Sequence, residues 1–319
     1  MSARSPFSRL VVVARTGSTN TDLRRALSAP DGLLDPGACG AWPHMSALRA
    51  LTQTAGRGRA EHTWTTPPSG ALTASIVLRP LVPADRLAWL PLLAGLAVTR
   101  ALAPRLCGTG WRAATKWPND VIAHPVPSAP GPAAVPGWGA SRKLAGILTE
   151  LIAPRAHSGA QARAIPDDRG GAAAVVVGIG INLTQPPGRL PVPWAASLTG
   201  LGASAEAAAA APLLEDCGRH LDDLVSAWEA AGGDPDGGDG VLGAELRGTC
   251  ATLGQAVRVT GPDGVIAGTA VDLEPGLVLR VDAGGGSRRV VVAAGDVSNV
   301  RGAGAGGVGE KARGDCFGD

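Results

Sequence analysis

Apolar and polar positions change rhythm several times along the chain. Leu10–Ala14 is a short β-branched run that predicts a strand, and Ser46–Gln53 and Leu72–Arg79 predict two more. Between the first two, Thr19-x-x-Asp22 fits a capping box opening a helix that runs to about Ser28. Asp85–Leu106 predicts one long helix, and Trp111–Thr115 and Lys143–Ile152 predict further strands. Ala172–Leu183 reads as a buried strand ending in a loop. In Leu213–Ala231 the residues Leu213, Leu214, Cys217, Leu221, Leu224, Val225 and Trp228 share one helical face.

Beyond a Gly/Asp linker at Gly232–Gly240 the rhythm becomes that of short strands, Val257–Val259, Val265–Val271, Leu277–Val281 and Arg289–Ala293. Turns at Gly261–Gly264 and Asp282–Gly286 separate them, which predicts a small all-β barrel. Pro125–Ala140 and Pro154–Gly171 have no periodicity and predict surface insertions, and Gly-rich Arg301–Asp319 predicts a disordered tail. Paired strands around occasional helices, rather than strict β-α alternation, predict an α+β fold.

Composition narrows the class. The 319 residues are 45% apolar but only 3% aromatic, with eight Trp, two Phe and no Tyr, so the core must be aliphatic. A net charge of +2 argues against a dedicated nucleic-acid binder. The apolar stretch Leu87–Thr99 is shorter than the ~20 residues of a membrane helix. Leu10–Ala14 is shorter than the apolar region of a signal peptide, about 7–15 residues. The five cysteines, 39, 107, 217, 250 and 316, form no C-x-x-C pair and suggest neither a disulfide framework nor a zinc site. A cytoplasmic protein with reduced thiols is expected.

Four segments carry candidate chemistry. In Gln53-Thr-Ala-Gly56-Arg57-Gly58-Arg59, glycines permit close backbone approach to a ligand and arginines offer planar forks for carboxylate or phosphate oxygens. A basic surface loop is the plain alternative. Lys116-Trp117-Pro118-Asn119-Asp120 is a strand end running into a turn. Arg142-Lys143-Leu-Ala-Gly146-Ile-Leu-Thr-Glu150 opens an apolar strand with a lysine. In Gly178-Ile-Gly180-Ile-Asn182, period two gathers two glycines and an amide on one face, a bare floor suited to a flat ligand or to close packing.

Taken in order with Gly17-Ser18-Thr19-Asn20, these segments resemble the biotin–protein ligases over roughly Leu10 to Arg301, including the C-terminal Cys250-Ala-Thr-Leu-Gly and Ala294-Gly-Asp-Val. The resemblance implies a mixed-sheet catalytic domain of the class II synthetase/biotin–lipoate ligase type at 1–235 and a small SH3-like domain at 244–301. It also implies a reaction in which biotin and ATP, with Mg²⁺, form biotinyl-5′-AMP. Biotin then passes to a lysine of a carrier domain of acetyl-CoA or acyl-CoA carboxylase. Ser18, Thr19, Asn20, Gln53, Gly56, Arg57, Gly58, Arg59, Lys143 and Gly146 would bind biotin. Arg57, Arg59, Trp64, Lys116, Asn119, Lys143 and Asn182 would bind ATP. Arg57, Arg59, Lys143 and Asp120 would be catalytic, Asp120 by orienting or deprotonating the acceptor lysine. No protein metal site is implied, Mg²⁺ being held by the ATP phosphates.

Two departures stand out. Ala60-Glu61-His62 replaces the Arg/Gly continuation common in such ligases, and weaker retention of ATP or adenylate is expected. Pro125–Ala140 replaces a tight connection and is expected to project away from the site, so that its deletion costs little activity. Some relatives carry an N-terminal helix-turn-helix; with a first strand near Leu10, no DNA-binding role is expected. A lipoate or octanoate ligase or transferase of the same fold, and a non-catalytic biotin-binding module, are the competing readings. The chain is compatible with a monomer or a homodimer.

Overall fold

The computed structural model describes residues 4–59, 62–64, 70–127, 132–154, 164–261, 264–283, 286–293 and 295–299. The expected tail, Ala60, Glu61 and parts of both expected insertions lie outside them. The first strands are β1 (Arg9–Thr16), β2 (Ser46–Gln53), β3 (Gly56–Arg57), β4 (Thr63–Trp64) and β5 (Ala71–Leu78). They are followed by β6 (Trp111–Lys116), β7 (Asp120–Pro125), β8 (Arg142–Ile152) and β9 (Ala174–Asn182). Seven of these form one sheet in the order β1-β2-β5-β9-β8-β7-β6; β1 and β2 are parallel and the other pairs antiparallel. The fold is α+β with a mixed sheet.

Alternation decides what each face holds. Leu72, Ala74, Ile76 and Leu78 of β5, with Val175, Val177, Ile179 and Ile181 of β9, join the main apolar cluster. That cluster is completed by α3 (Leu90–Leu102) and α4 (Ala210–Ala230). The intervening residues point the other way. At one end they meet α1 (Thr19–Leu27) and α2 (Ala38–Ala41), whose Leu23, Leu27 and Ala38 pack on Leu48, Val77 and Val176. At the other end Thr73, Ser75, Gly178 and Gly180 leave room for a cavity.

Several expectations need correction. The cap of α1 is Ser18, whose Oγ accepts the Thr21 N–H at 3.4 Å. Thr19 instead turns inward to Gln53, and the Asp22 carboxylate accepts the Thr16 hydroxyl. The expected long helix is split at its prolines. Pro91 sits in the first turn of α3, where a missing N–H costs nothing, and Pro104 ends the regular ladder. Ala84–Trp89 and Ala103–Leu106 flank it as 3₁₀ turns. Ala84–Leu106 is long and apolar enough to cross a membrane by composition, yet most of it is buried within the fold.

After α5 (Val241–Thr249), which follows the Gly/Asp linker and was not foreseen, comes a second sheet. Its strands are β10 (Ala256–Gly261), β11 (Gly264–Leu273), β12 (Leu277–Ala283), β13 (Gly286–Val292) and β14 (Asp296–Asn299). They lie antiparallel in the order β13-β12-β11-β10-β14, and β14 was not foreseen. Val257, Leu277 and Leu279 belong to the same apolar cluster as α3, bridged by Leu246 and Cys250. The end of β6 is also tied to this region: the Ala251 N–H donates to Thr115 O at 2.8 Å and the Trp117 N–H to Thr252 Oγ1 at 3.0 Å.

The described part of Pro125–Ala140 does not project away. Val135 and Gly139 close a small turn, with the Trp138 N–H on Val135 O at 3.0 Å. Arg142 pins it by donating to the carbonyls of Ala133 at 2.7 Å and Ser141 at 2.9 Å. The end of the other stretch is anchored as well, because Arg169 forks onto Glu229 at 2.6 and 2.7 Å.

Candidate active site

A cavity of about 330 Å³ opens over the glycine-bearing face of β8 and β9. Gly146 and Gly180 are register partners, and Gly178 pairs with Leu148. The flat group lying on this floor is the protein's own Trp64. A Cβ at Gly180 would stand 2.5–2.7 Å from its indole carbons, and one at Gly146 would stand 3.1 Å from it. Side chains are therefore excluded here by close packing. The Trp64 Nε1–H is buried with no acceptor among the described residues.

One end of the cavity is a closed polar network. Gln53 Oε1 accepts the Thr19 N–H at 2.8 Å and the Thr19 hydroxyl at 3.0 Å. The Ser75 hydroxyl lies 2.7 Å from Thr19 Oγ1 and 2.6 Å from Asn20 Oδ1. Asn20 Nδ2 donates to Leu148 O at 3.2 Å and to Glu150 at 3.0 Å. Ser18, Thr19, Asn20 and Gln53 are all buried. Pairing on this scale removes the penalty of burying so many polar groups and fixes their directions.

The cations line the same cavity. Lys143 Nζ pairs with Asp120 Oδ1 at 2.6 Å and lies 5.8 Å from the Trp64 ring centre. Arg57 pairs with Glu150 at 2.8 Å, linking the loop arginine to the Asn20 network. Arg59 donates to Gly295 O at 3.3 Å, and Lys116 Nζ donates to Val297 O at 2.9 Å, so the second sheet closes this side. Lys116 is 9% exposed. Burial first, then the nearby Lys143 charge, holds its pKa below the usual lysine value, against the opposing pull of Asp120. His62 faces Asp296 at 3.9 Å across the same mouth.

The structure thus gathers Ser18, Thr19, Asn20, Gln53, Arg57, Gly58, Arg59, Trp64, Lys116, Asn119, Asp120, Lys143 and Gly146 around one cavity. Gly56 lies just outside its wall, packed so closely on the Trp64 carbonyl that a Cβ would collide with it. Asn182 is also outside: it is buried, with its Oδ1 accepting from Gln185 at 3.2 Å. Among the lining residues that the sequence reading did not assign are Trp138 and Trp194. Their rings stack at 5.9 Å and 11°, and the Lys143 N–H donates to Trp194 O at 2.7 Å. Nothing in the local pattern of either segment marks an aromatic wall.

Residues 41–164 match the family described as Biotin/lipoate A/B protein ligase. The chain is 34% identical over 303 residues to the biotin–[acetyl-CoA-carboxylase] ligase of Mycobacterium tuberculosis, covering 94% of this chain and 92% of that protein. A ligase of the same name from Paracoccus denitrificans is 35% identical over 177 residues, 55% of each chain. Among solved structures, Aquifex aeolicus biotin protein ligase in complex with biotin and ATP shares the fold with a TM-score of 0.60 at 20% identity. That alignment covers 92% of this chain and all of that one. A match of this extent spans both sheets and the whole cavity, and the chain belongs to the biotin–[acetyl-CoA-carboxylase] ligases of the biotin/lipoate A/B protein ligase family.

Proposed function

We propose that this ligase joins biotin to ATP in the cavity and then transfers biotin to a lysine of a carboxylase carrier domain. In the first step a biotin carboxylate oxygen attacks the α-phosphorus of ATP. The bond to the bridging oxygen of the β-phosphate breaks, and pyrophosphate leaves. In the second, the acceptor amine attacks the acyl carbon of biotinyl-5′-AMP, AMP leaves and the amine gives up one proton.

Both reactants of the first step are anions, so fixed positive charge aimed at their meeting point supplies most of the help the protein can give. Lys143 stands in the cavity beside Asp120 and Trp64, where its ammonium would bridge carboxylate and α-phosphate. Ser18, Thr19, Asn20 and Gln53 carry the hydroxyls and amides that a cyclic urea, with one acceptor oxygen and two N–H donors, would use. Trp64 would have to move or share the glycine floor when biotin enters. Arg57, Gly58 and Arg59 would cover the acyl phosphate and keep water from hydrolysing it.

Asp120 is the carboxylate nearest Lys143, and we assign it the orientation of the incoming acceptor amine. Mg²⁺ is expected to come with the triphosphate, held by the ATP phosphates. We read residues 1–235 as the catalytic unit and 244–301 as a second unit that finishes the nucleotide side through Gly295 and Val297.

The convergence of Arg57, Arg59, Lys116 and Lys143 on one cavity beside a buried hydroxyl–amide network carries this reading. Pyrophosphate exchange into ATP tests it. Exchange that requires biotin and fails with lipoate or octanoate is expected. Exchange supported by lipoate would assign the chain to the lipoate branch, and biotin binding without exchange would make it a binding module.

A further inference from the structure

We propose that Trp138, carried on the turn that replaces a tight connection between β7 and β8, is a nucleotide-binding residue whose indole, backed by Trp194, stacks the base of ATP. This rests on the ligase reading of the cavity and goes beyond it, because the residue belongs to a segment with no motif.

The placement is built. Trp138 lines the cavity with Lys116, Lys143 and Asn119, on the side away from the Ser18–Asn20 network. Its ring is stacked nearly parallel on Trp194, which backs it and fixes its plane. Lys116 Nζ lies over the Trp138 ring, 4.4 Å from its centre, so a buried ammonium rests on the ring face and would swing to the phosphates when a base takes its place. A flat π-surface beside an ammonium suits a ligand joining a heteroaromatic ring to phosphates. Stacking asks only for a flat face, whichever base supplies it.

The turn is held for this purpose. Gly137 and Gly139 take positive φ of 76° and 58°, which glycine adopts at little cost. Gly137 also faces the second sheet, a Cβ there standing 3.7 Å from Ser298 Cβ. Arg142, adjacent to Lys143, binds the carbonyls of Ala133, Gly139 and Ser141, so the position of the ring is coupled to the strand that carries the bridging lysine.

The test is Trp138→Ala beside Trp138→Phe in the full-length chain, read by biotin-dependent pyrophosphate exchange and by calorimetric titration with adenosine. Trp138→Ala should raise the KM for ATP about tenfold and weaken adenosine to a similar degree, given the usual worth of a base–aromatic stack. The KM for pyrophosphate and the affinity for biotin should stay within about twofold of the parent's on the same argument. Trp138→Phe should recover most of the loss. An equal rise in the pyrophosphate KM would mean that the ring acts only by holding Lys116 and would overturn base stacking, as would unchanged ATP and adenosine binding. Should the parent chain show no biotin-dependent exchange, the ligase reading fails, and the adenosine titration still decides the role of Trp138.

Discussion

At the Ser18–Asn20 end of the cavity nearly every polar group is bonded to another before any ligand arrives. At the Trp138 end, Lys116 donates to the Val297 carbonyl and lies over the Trp138 indole, with the charges of Lys143 and Asp120 near by. The first end is assembled from β2, α1 and the central strands, elements already committed to the core. The second is assembled from a pinned turn, the Trp194 segment and the last strand of another sheet. A network satisfied in advance pays the entropy of ordering during folding, whereas an end with spare donors keeps binding capacity for a charged ligand. The expected order is a specific, rigid biotin end and a more adaptable nucleotide end.

The sharpest way to break this picture is at the junction. Lys143→Ala should lower the rate of biotin-dependent exchange by about 10²–10³-fold, as expected for loss of a fixed group opposite developing charge. A variant that exchanges at the parent's rate would remove Lys143 from the mechanism.

Acid probes the scaffold at the other end of β2 from Gln53. His44 sits before β2, its Nδ1 accepting the Arg79 N–H at 3.0 Å. Burial first, then the nearby Arg169 charge, holds its pKa down at about 4. Between that value and the ordinary one of about 6.5, the unfolded chain binds the proton more readily than the folded one. The stabilisation is therefore full above the ordinary value and lost as pH falls toward 4, by roughly 3 kcal/mol. Denaturant unfolding at a series of pH values checks this, and His44→Gln should flatten the slope.

Substitution at the floor separates the two ends. A Cβ on Gly178 would stand 2.9 Å from Asn20 Cγ, so Gly178→Ala should displace that amide. Biotin affinity should fall about tenfold, with the KM for ATP nearly unchanged. Equal losses for both substrates would show that the ends are not independent. The smallest effect is expected at Glu150, which ties Asn20 to the half-exposed Arg57. Glu150→Gln should change the biotin KM by only a few-fold, because an exposed guanidinium gains little from its partner.

Much of the first end was legible from the chain itself. Ser18–Asn20, Gln53 and Lys143 were assigned by the resemblance that the motifs carry, and they lie at the ends of strands or helices that periodicity locates. Yet Ser18 rather than Thr19 caps α1, because Thr19 is engaged by Gln53, thirty-four residues on. The glycine floor was readable as a floor, but its occupant was not: only packing shows that Trp64 lies on it. The second end was hidden for a different reason. Trp138 lies in a Pro/Gly-rich stretch without rhythm, and its partners come from β6, the Trp194 segment and β14, brought together by tertiary contacts alone. Asn182, which the glycine pattern placed on the same face, is drawn away to Gln185 by the loop that follows it.

The glycine-bound indole of Trp64 and the stacked Trp138–Trp194 pair have an optical consequence. The chain has no tyrosine, so its near-ultraviolet emission comes from eight indoles, and three of them line the cavity. A ligand that lifts Trp64 off its glycines and one that slides against the paired rings should alter brightness and colour differently. Filling of the two halves could then be followed separately, without attaching a dye.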